Sequence, residues 1–243
     1  MEDLIKEEQE MALNAEKEYG EYFVHAKSMV TLFNNLVTQM NIPTRFMFLA
    51  FFSQIRKHLV LALLSTVRLH HVQAGMNLRQ VLEASGWAAY ALAHENEALF
   101  WRKNSENRAE VPKSLKEAKN TWLENNYKDE SDKIRILKEL INESIAHANI
   151  VYAFQTFELA DDENGSGYNM PYFDIGDHSW VKMNLLTVAN FTMSIIGLFI
   201  KVNQKYNVYK SPADLNQQYQ ELIEEHENLR TKIQQDERFR QTA

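Results

Sequence analysis

Apolar side chains recur every three or four residues over most of the chain, and this spacing is typical of amphipathic helices. The first clear stripe consists of Tyr19, Phe23, Ala26, Val30, Phe33, Val37 and Met40. The 243 residues include only seven glycines and four prolines, where average usage would supply about 29 in total. Tight turns and glycine-rich phosphate loops are therefore scarce, and we predict a mainly α multi-helix bundle of six to eight helices.

Interruptions of the stripe predict where the helices begin and end. Pro43 ends the helix that contains Tyr19, because proline lacks a backbone donor and restricts the residue before it. Gly75 is expected to separate the next two helices. The predicted helices cover residues 19–40 (with a charged extension back to Leu4), 44–71, 76–93, 95–103, 112–125, 130–149 and 180–206, and a last helix starts at Ser211-Pro212.

The apolar period changes after residue 149. Residues 150–158 are rich in β-branched and aromatic side chains, 161–167 (DDENGSG) have the composition of a turn, and 168–175 resemble a returning strand. We therefore predict one inserted β-hairpin, which must pack on the helices because two strands alone are marginally stable. Asp177 or Ser179 is expected to cap the helix that follows.

We interpret residues 1–243 as a single helical domain in which the terminal helices, 1–40 and 212–238, form a peripheral layer. The apolar spacing of the last helix alternates between four and three residues, as in coiled coils. Its stripe is Leu215, Tyr219, Leu222, His226, Leu229 and Ile233. Two interpretations fit: the layer forms the interface of a homo-oligomer (a dimer), or the two helices pack along their own bundle.

Acidic residues are missing from one long segment, although the formal net charge is -7. Residues 22–82 contain no Asp or Glu, but they include Lys27, Arg45, Arg56, Lys57, Arg68 and Arg79 and four histidines. This segment forms either a basic surface for an anionic ligand or RNA, or buried helices with a few bases at their margins.

We expect a cytoplasmic protein without a membrane segment. The first residues, MEDLIKEE, are acidic where a secretory signal would be basic and then apolar. Two apolar stretches approach the length of a membrane span, but Arg56-Lys57-His58 interrupts one, and the other, residues 185–200, includes three polar residues. We interpret both as central helices of a soluble core.

Cysteine is absent, which excludes disulfides, thiolate metal sites and a cysteine nucleophile. His70 and His71 are adjacent and would point about 100° apart on a helix. Asp174 and Asp177 are more typical of helix caps than of metal ligands. We therefore expect neither a metal ion nor a cofactor.

Two clusters contain polar residues suited to a site. Arg79 and Glu83 are four residues apart and share a helix face; they either bind and orient an anionic group or form a structural ion pair. The second cluster contains Asn142, Glu143, Ser144 and His147. His147 could act as a general acid or base, or could be a hydrogen-bonded core histidine.

Three segments resemble an uncharacterised bacterial family of helical proteins. They are AGMNLRQVLEASGWAAYALA (74–93), INESIAHANIVYAFQTFE (141–158) and PYFDIGDHSWVKMNLLTVAN (171–190), which cover about a quarter of the chain. The resemblance implies a helical fold and no particular activity.

A shorter pattern is similar to that of the HEPN superfamily, helical bundles that include metal-independent ribonucleases of toxin and phage-defence systems. These enzymes carry Arg, a polar residue, four further residues and His. Asn142 and His147 match the polar residue and the histidine, whereas Ile141 replaces the arginine. The resemblance implies an endoribonuclease with His147 as acid or base. Arg79, on another predicted helix, would then have to supply the missing guanidinium.

The sequence therefore favours a binding or interaction module with a polar site between the helices 76–93 and 130–149. Arg79 would hold an anionic group, and Glu83, Asn142, Glu143, Ser144 and His147 would complete the pocket. The alternative is the HEPN-like ribonuclease, in which His147 and Arg79 are catalytic.

The interpretation of the terminal helices as an oligomer interface predicts a species heavier than one chain. Sedimentation at micromolar protein measures this directly, and a monomer would contradict it.

Overall fold

The computed structural model of the protein describes residues 1–96, 99–103, 106, 109–110, 112–144, 158–162 and 165–235. Over these residues the chain forms eight helices, and the predicted mainly α bundle with an inserted β-hairpin is confirmed. The helices are α1 (Glu2–Tyr19), α2 (Glu21–Asn34), α3 (Phe46–Val67), α4 (His71–Ala93), α5 (Lys113–Asn126), α6 (Lys128–Ser144), α7 (His178–Tyr206) and α8 (Leu215–Gln235).

The described strands form three antiparallel pairs, two of them very short. In chain order they are β1 (Gln39–Met40), β2 (Arg102–Lys103), β3 (Ala109–Glu110), β4 (Glu158–Asp162), β5 (Gly165–Asn169) and β6 (Tyr209–Lys210). Strand β1 pairs with β6, β2 with β3, and β4 with β5.

Aromatic rings from three helices and one strand meet at the centre of the bundle. The ring centroid of Phe33 on α2 lies 5.0 Å from that of Phe52 on α3 and 5.8 Å from that of Phe199 on α7. Phe48 stacks on Tyr209 at 5.7 Å, and the Tyr209 hydroxyl donates to the Phe199 carbonyl at 3.2 Å. Each buried ring stabilises the fold by about 1.5–3 kcal/mol. The cluster therefore ties α2, α3, α7 and β6 together.

The first predicted helix is divided in the structure. Gly20 has φ 54°, a left-handed conformation that glycine adopts without steric cost, and it separates α1 from α2. The prediction that this helix continues to Met40 is wrong, because α2 ends at Asn34 and Met40 pairs with Tyr209 in β1–β6. A strand partner far along the chain decides this end, and the helical period could not reveal it.

The break between α3 and α4 lies at residues 68–70, so the predicted break at Gly75 is also wrong. Leu69 has φ 57°, and Gly75 is buried inside α4. The side chain of Asp174 accepts a hydrogen bond from the His71 backbone N–H at 2.7 Å, which satisfies a free donor of the first turn of α4. The carboxylate that starts this helix therefore comes from 103 residues away.

Two boundaries in the middle of the chain also differ from prediction. The predicted short helix 95–103 is wrong at its end, because Arg102–Lys103 pairs with β3, and residues 97–98 lie outside the described residues. In the hairpin, Asp162 pairs with Gly165, so most of the predicted turn 161–167 belongs to the strands, and β5 ends at Asn169. Residues 145–157, which include the predicted strand start, lie outside the described residues.

The bounds of α5 and the cap of α7 agree with the prediction, whereas the start of α8 does not. Helix α5 covers nearly the predicted residues, and Asp177 caps α7 by accepting the Trp180 backbone N–H at 2.7 Å. Helix α8 begins at Leu215 rather than at the predicted Ser211-Pro212. Its stripe packs against α2 and α7 within the same chain.

The acid-free segment 22–82 acquires its carboxylate partners from elsewhere in the chain. Lys27 lies 3.6 Å from Glu16, and the buried Arg45 lies 3.0 Å from Glu95. Lys27 and Arg45 thus each have a carboxylate partner outside the segment, whereas Arg56 contacts the amide oxygen of Asn34 at 3.3 Å.

Helices α3 and α7 are each long and apolar enough to cross a membrane by length and composition. In the bundle, 61% of the most apolar window of α7 is buried, compared with 33% for α3. Core helices of globular proteins have the same composition, so this finding is weak support for a membrane span.

His71 is buried beside the Trp180 ring, whose centroid is 3.8 Å away. The Asn184 amide donates to its Nδ1 at 3.3 Å, and its Nε2 has no hydrogen-bond partner among the described residues. Burial first, and the neighbouring His70 second, lower the pKa of His71 to about 3. The folded protein therefore keeps this imidazole neutral.

This burial predicts a loss of stability in mild acid. Unfolded His71 gains a proton as the pH falls through 6.5, whereas folded His71 does not until about 3. Through this residue alone, the free energy of unfolding falls by about 1.4 kcal/mol per pH unit in that window. His71→Gln removes this contribution, which urea unfolding between about pH 6.5 and 5 measures. His58→Gln, at a half-exposed histidine, is the control, and an unchanged slope in His71→Gln would contradict the prediction.

Candidate functional site

Arg79 and Glu83 lie one turn apart on α4, with 3.5 Å between Arg79 Nε and Glu83 Oε1. The same Glu83 oxygen lies 3.6 Å from Lys138 Nζ on α6. The side chains of Arg79 and Glu83 are 37% and 42% exposed, so their contact is partly solvated and contributes little to stability. Glu83 therefore links α4 to α6 at the edge of a solvent-accessible region.

The other predicted site residues lie at the end of α6 or beyond it. Asn142 is half-buried, and its Oδ1 has no hydrogen-bond partner in the described part of the chain. Glu143 is exposed, and Ser144 is the last residue of α6. His147 lies outside the described residues. The structure thus brings together Arg79 and Glu83 from the predicted set.

Glu83 lines a cavity of about 540 Å³ between α4, α5 and α6, which we call the α4–α6 pocket. A volume of this size suits a small molecule. Its lining residues are Leu82, Glu83, Gly86, Trp87, Pro112, Lys113, Lys116, Lys119, Asn120, Leu123, Glu124, Ser131, Asp132, Ile134, Arg135 and Lys138.

Five of these lining residues are basic and three are acidic. Lys113, Lys116 and Lys119 follow one another at intervals of three on α5, which places them on one side of the helix. On α6, Arg135 pairs with Asp132 at 3.2 Å. The pocket therefore has a net positive charge, concentrated on α5.

Lys119 is the most buried of the three lysines on α5. Its ammonium lies 4.7 Å from the centroid of the Trp87 ring, a cation–π contact. A Cβ at Gly86 would lie 3.3 Å from the same nitrogen, so the glycine leaves room for the lysine. Glycine inside a helix costs about 1 kcal/mol relative to alanine. Gly86 therefore allows the close approach of Lys119 in spite of the low helix propensity of glycine.

The surroundings of Lys119 oppose its positive charge. Burial is the main cause, and Lys138 and Lys116 add repulsion, so that the pKa of Lys119 falls to about 8 in spite of Glu83, which raises it. An anion bound beside the ammonium would relieve this electrostatic penalty.

Sequence reasoning located Glu83 and missed the lysines that surround it. The signal was present in the spacing of Lys113, Lys116 and Lys119 and in the glycine inside a strong helix, but neither shows which helices meet. Within the described ranges, no group of three or more His, Asp or Glu residues is arranged to hold a metal ion.

Comparisons with protein-family models, with curated proteins and with solved structures found no match.

The position of Lys119 predicts a variant more stable than the wild type. The pKa of Lys119 is about 8 in the folded protein and 10.5 in the unfolded chain. The charged side chain therefore lowers the free energy of unfolding by its full amount below about pH 8, and this loss disappears as the pH rises above 10.5. With solvent screening, Lys119→Met should raise the free energy of unfolding near neutral pH by about 2 kcal/mol. The gain should shrink between about pH 8 and 10.5.

Urea unfolding over this pH range measures the gain. Lys57→Met, at an exposed lysine on α3, is the control for loss of one positive charge. Equal stability of Lys119→Met and Lys57→Met would contradict the interpretation.

Proposed function

We propose that this protein is a binding module whose α4–α6 pocket holds a small ligand with a phosphate or carboxylate group. The observation that supports this is the partly buried Lys119, which lies among further cations where its charge destabilises the fold. Sites that destabilise a protein are frequently kept for function. A bound anion reverses the penalty by pairing with the charge.

The residues of the pocket have separate roles in this proposal. Lys113, Lys116 and Lys119 supply the ammonium groups that contact the anion. Glu83, which lies between Arg79 and Lys138, keeps α4 and α6 at their spacing and orients both cations. The anion itself therefore lies on the α5 side of the pocket.

The apolar wall of the pocket supports a ligand with an organic part. Leu82, Trp87, Leu123 and Ile134 line the same cavity as the lysines. Small-molecule sites combine apolar walls with a few placed polar groups. A phosphorylated or carboxylated metabolite-sized molecule fits this combination better than a nucleic acid, which is bound along an open basic surface.

The ribonuclease alternative depends on His147 and on a guanidinium close to it. Ile141, at the arginine position of the HEPN pattern, is 2% exposed and belongs to the core. Incubation with mixed RNA in EDTA tests the alternative, with His147→Ala as the control. Cleavage that this substitution abolishes would support the enzyme and replace the binding proposal.

We also propose a cytoplasmic homo-oligomer, as the sequence indicates. Helix α1 supports an interface because Ile5 and Leu13 are exposed on it. Apolar side chains of this size on a charged helix are suited to contact a second copy.

Inorganic pyrophosphate is the probe for the pocket. A ligand that binds only the folded state raises the melting temperature, and at about 100 times its Kd the rise should be about 5 °C for the wild type and for Lys57→Met. The rise should be absent in Lys119→Met and reduced in Lys116→Met. Potassium chloride at equal ionic strength controls for screening.

The proposal is wrong if pyrophosphate stabilises Lys119→Met as much as the wild type. It is also wrong if neither pyrophosphate nor a carboxylate probe, citrate, stabilises the wild type more than potassium chloride does.

A further inference from the structure

A chain of three polar side chains crosses the interface between α2 and α8, away from the α4–α6 pocket. His25 Nδ1 lies 3.1 Å from a carboxylate oxygen of Glu225, and His25 Nε2 lies 3.1 Å from His226 Nδ1. His25 is fully buried and His226 is 4% exposed, whereas Glu225 is partly exposed. Two buried imidazoles thus connect a solvated carboxylate to the interior.

The carboxylate determines where each proton lies on the neutral rings. Ionised Glu225 can only accept, so His25 Nδ1–H donates to it, and the Nε2 of neutral His25 is then an acceptor. His226 must therefore donate its Nδ1–H to His25. The Nε2 of neutral His226 consequently carries a lone pair and no proton.

This nitrogen belongs to a residue that lines a groove of about 490 Å³ between α7 and α8. The contact with His25 uses Nδ1 of His226, so Nε2 is the ring nitrogen that remains for a ligand. The groove is lined by Met183, Leu186, Thr187, Asn190, His226, Glu227, Arg230, Ile233 and Gln234. His226, whose ring has a nitrogen with a free lone pair, thus lines a groove with both apolar and polar side chains.

We propose that the α7–α8 groove binds a small aromatic hydroxyl compound of the phenol class, and that the His226–His25–Glu225 chain accepts its proton. Three features of the groove support this ligand class. Met183, Leu186 and Ile233 offer an apolar wall for a ring, His226 Nε2 accepts the O–H, and Arg230 stabilises the resulting phenolate.

The proton transfer balances without a further reactant. The phenol O–H bond breaks and its proton binds His226 Nε2, while the Nδ1 proton of His226 moves to His25 Nε2. The phenol oxygen keeps the electron pair and becomes phenolate. His25 is then an imidazolium beside the Glu225 carboxylate, so the positive charge lies next to its counter-ion instead of in the groove.

The groups around His226 disfavour a positive charge on its own ring, which agrees with passage of the proton on to His25. Burial first and His25 second lower the pKa of His226 to about 4; Arg230 lowers it further, and Glu227 raises it. His226 is therefore neutral at physiological pH, and in the proposed transfer the positive charge resides on His25 and not on His226. Glu227 and Arg230 face the groove from α8, and the groove residues of α7 are uncharged.

The probe is 4-nitrophenol, whose phenolate absorbs visible light and whose phenol form does not. At a pH about one unit below its own pKa, the wild type should bind it saturably and raise the phenolate absorbance. His226→Gln should bind at least about tenfold more weakly and show no rise. His25→Gln should bind within about threefold of the wild type but without the rise. His58→Gln, away from the groove, should behave as the wild type.

Two further measurements keep the proposal falsifiable. Glu225→Gln, at a partly exposed position, should lower the phenolate signal even where His25→Gln fails to fold. 4-Nitroanisole has the same ring without the hydroxyl and should bind at least about tenfold more weakly than 4-nitrophenol. No binding by the wild type, equal binding of the anisole, or an unchanged phenolate signal in His226→Gln or Glu225→Gln would overturn the proposal.

Discussion

Close packing of α4 is the constraint on which the rest of the bundle depends. Ser85, Ala88 and Ala89 are fully buried, and their small side chains allow α3 and α7 to approach the α4 backbone. The remaining face, with Glu83 and Gly86, is then directed at α5 and α6. A larger residue on the buried face would push α4 away from α3 and α7, because interiors are packed with few voids.

Burial works against charge at both proposed sites, but the neighbours differ. Lys119 has cations around it and the pocket therefore favours an anion. His226 has a second histidine beside it, and that histidine contacts a carboxylate. In the proposed transfer the charge therefore resides on His25 beside Glu225, because burial disfavours it on His226. The same desolvation thus opposes a positive charge on Lys119 and on His226, and the two residues differ in the groups beside them.

The quality of the boundary predictions depended on where the stabilising partner lies. Asp177 caps α7 from within three residues, and its role was among the two predicted from sequence. Asp174, which accepts a hydrogen bond at the first turn of α4, lies far from that helix in the sequence. Met40, which was predicted to be helical, pairs instead with Tyr209 of the distant strand β6. Local partners leave a pattern in the sequence, whereas distant partners leave none that a single chain reveals.

The sequence by itself determined a mainly α bundle, its inserted hairpin and the contact between Arg79 and Glu83, because helical period and four-residue spacing are local properties. Tertiary structure alone decided that the lysines of α5 surround Glu83 and Gly86, and that His25 meets His226, 201 positions away. These contacts depend on which helix faces pack together. That choice is made by the shape and burial of every helix in the bundle at once.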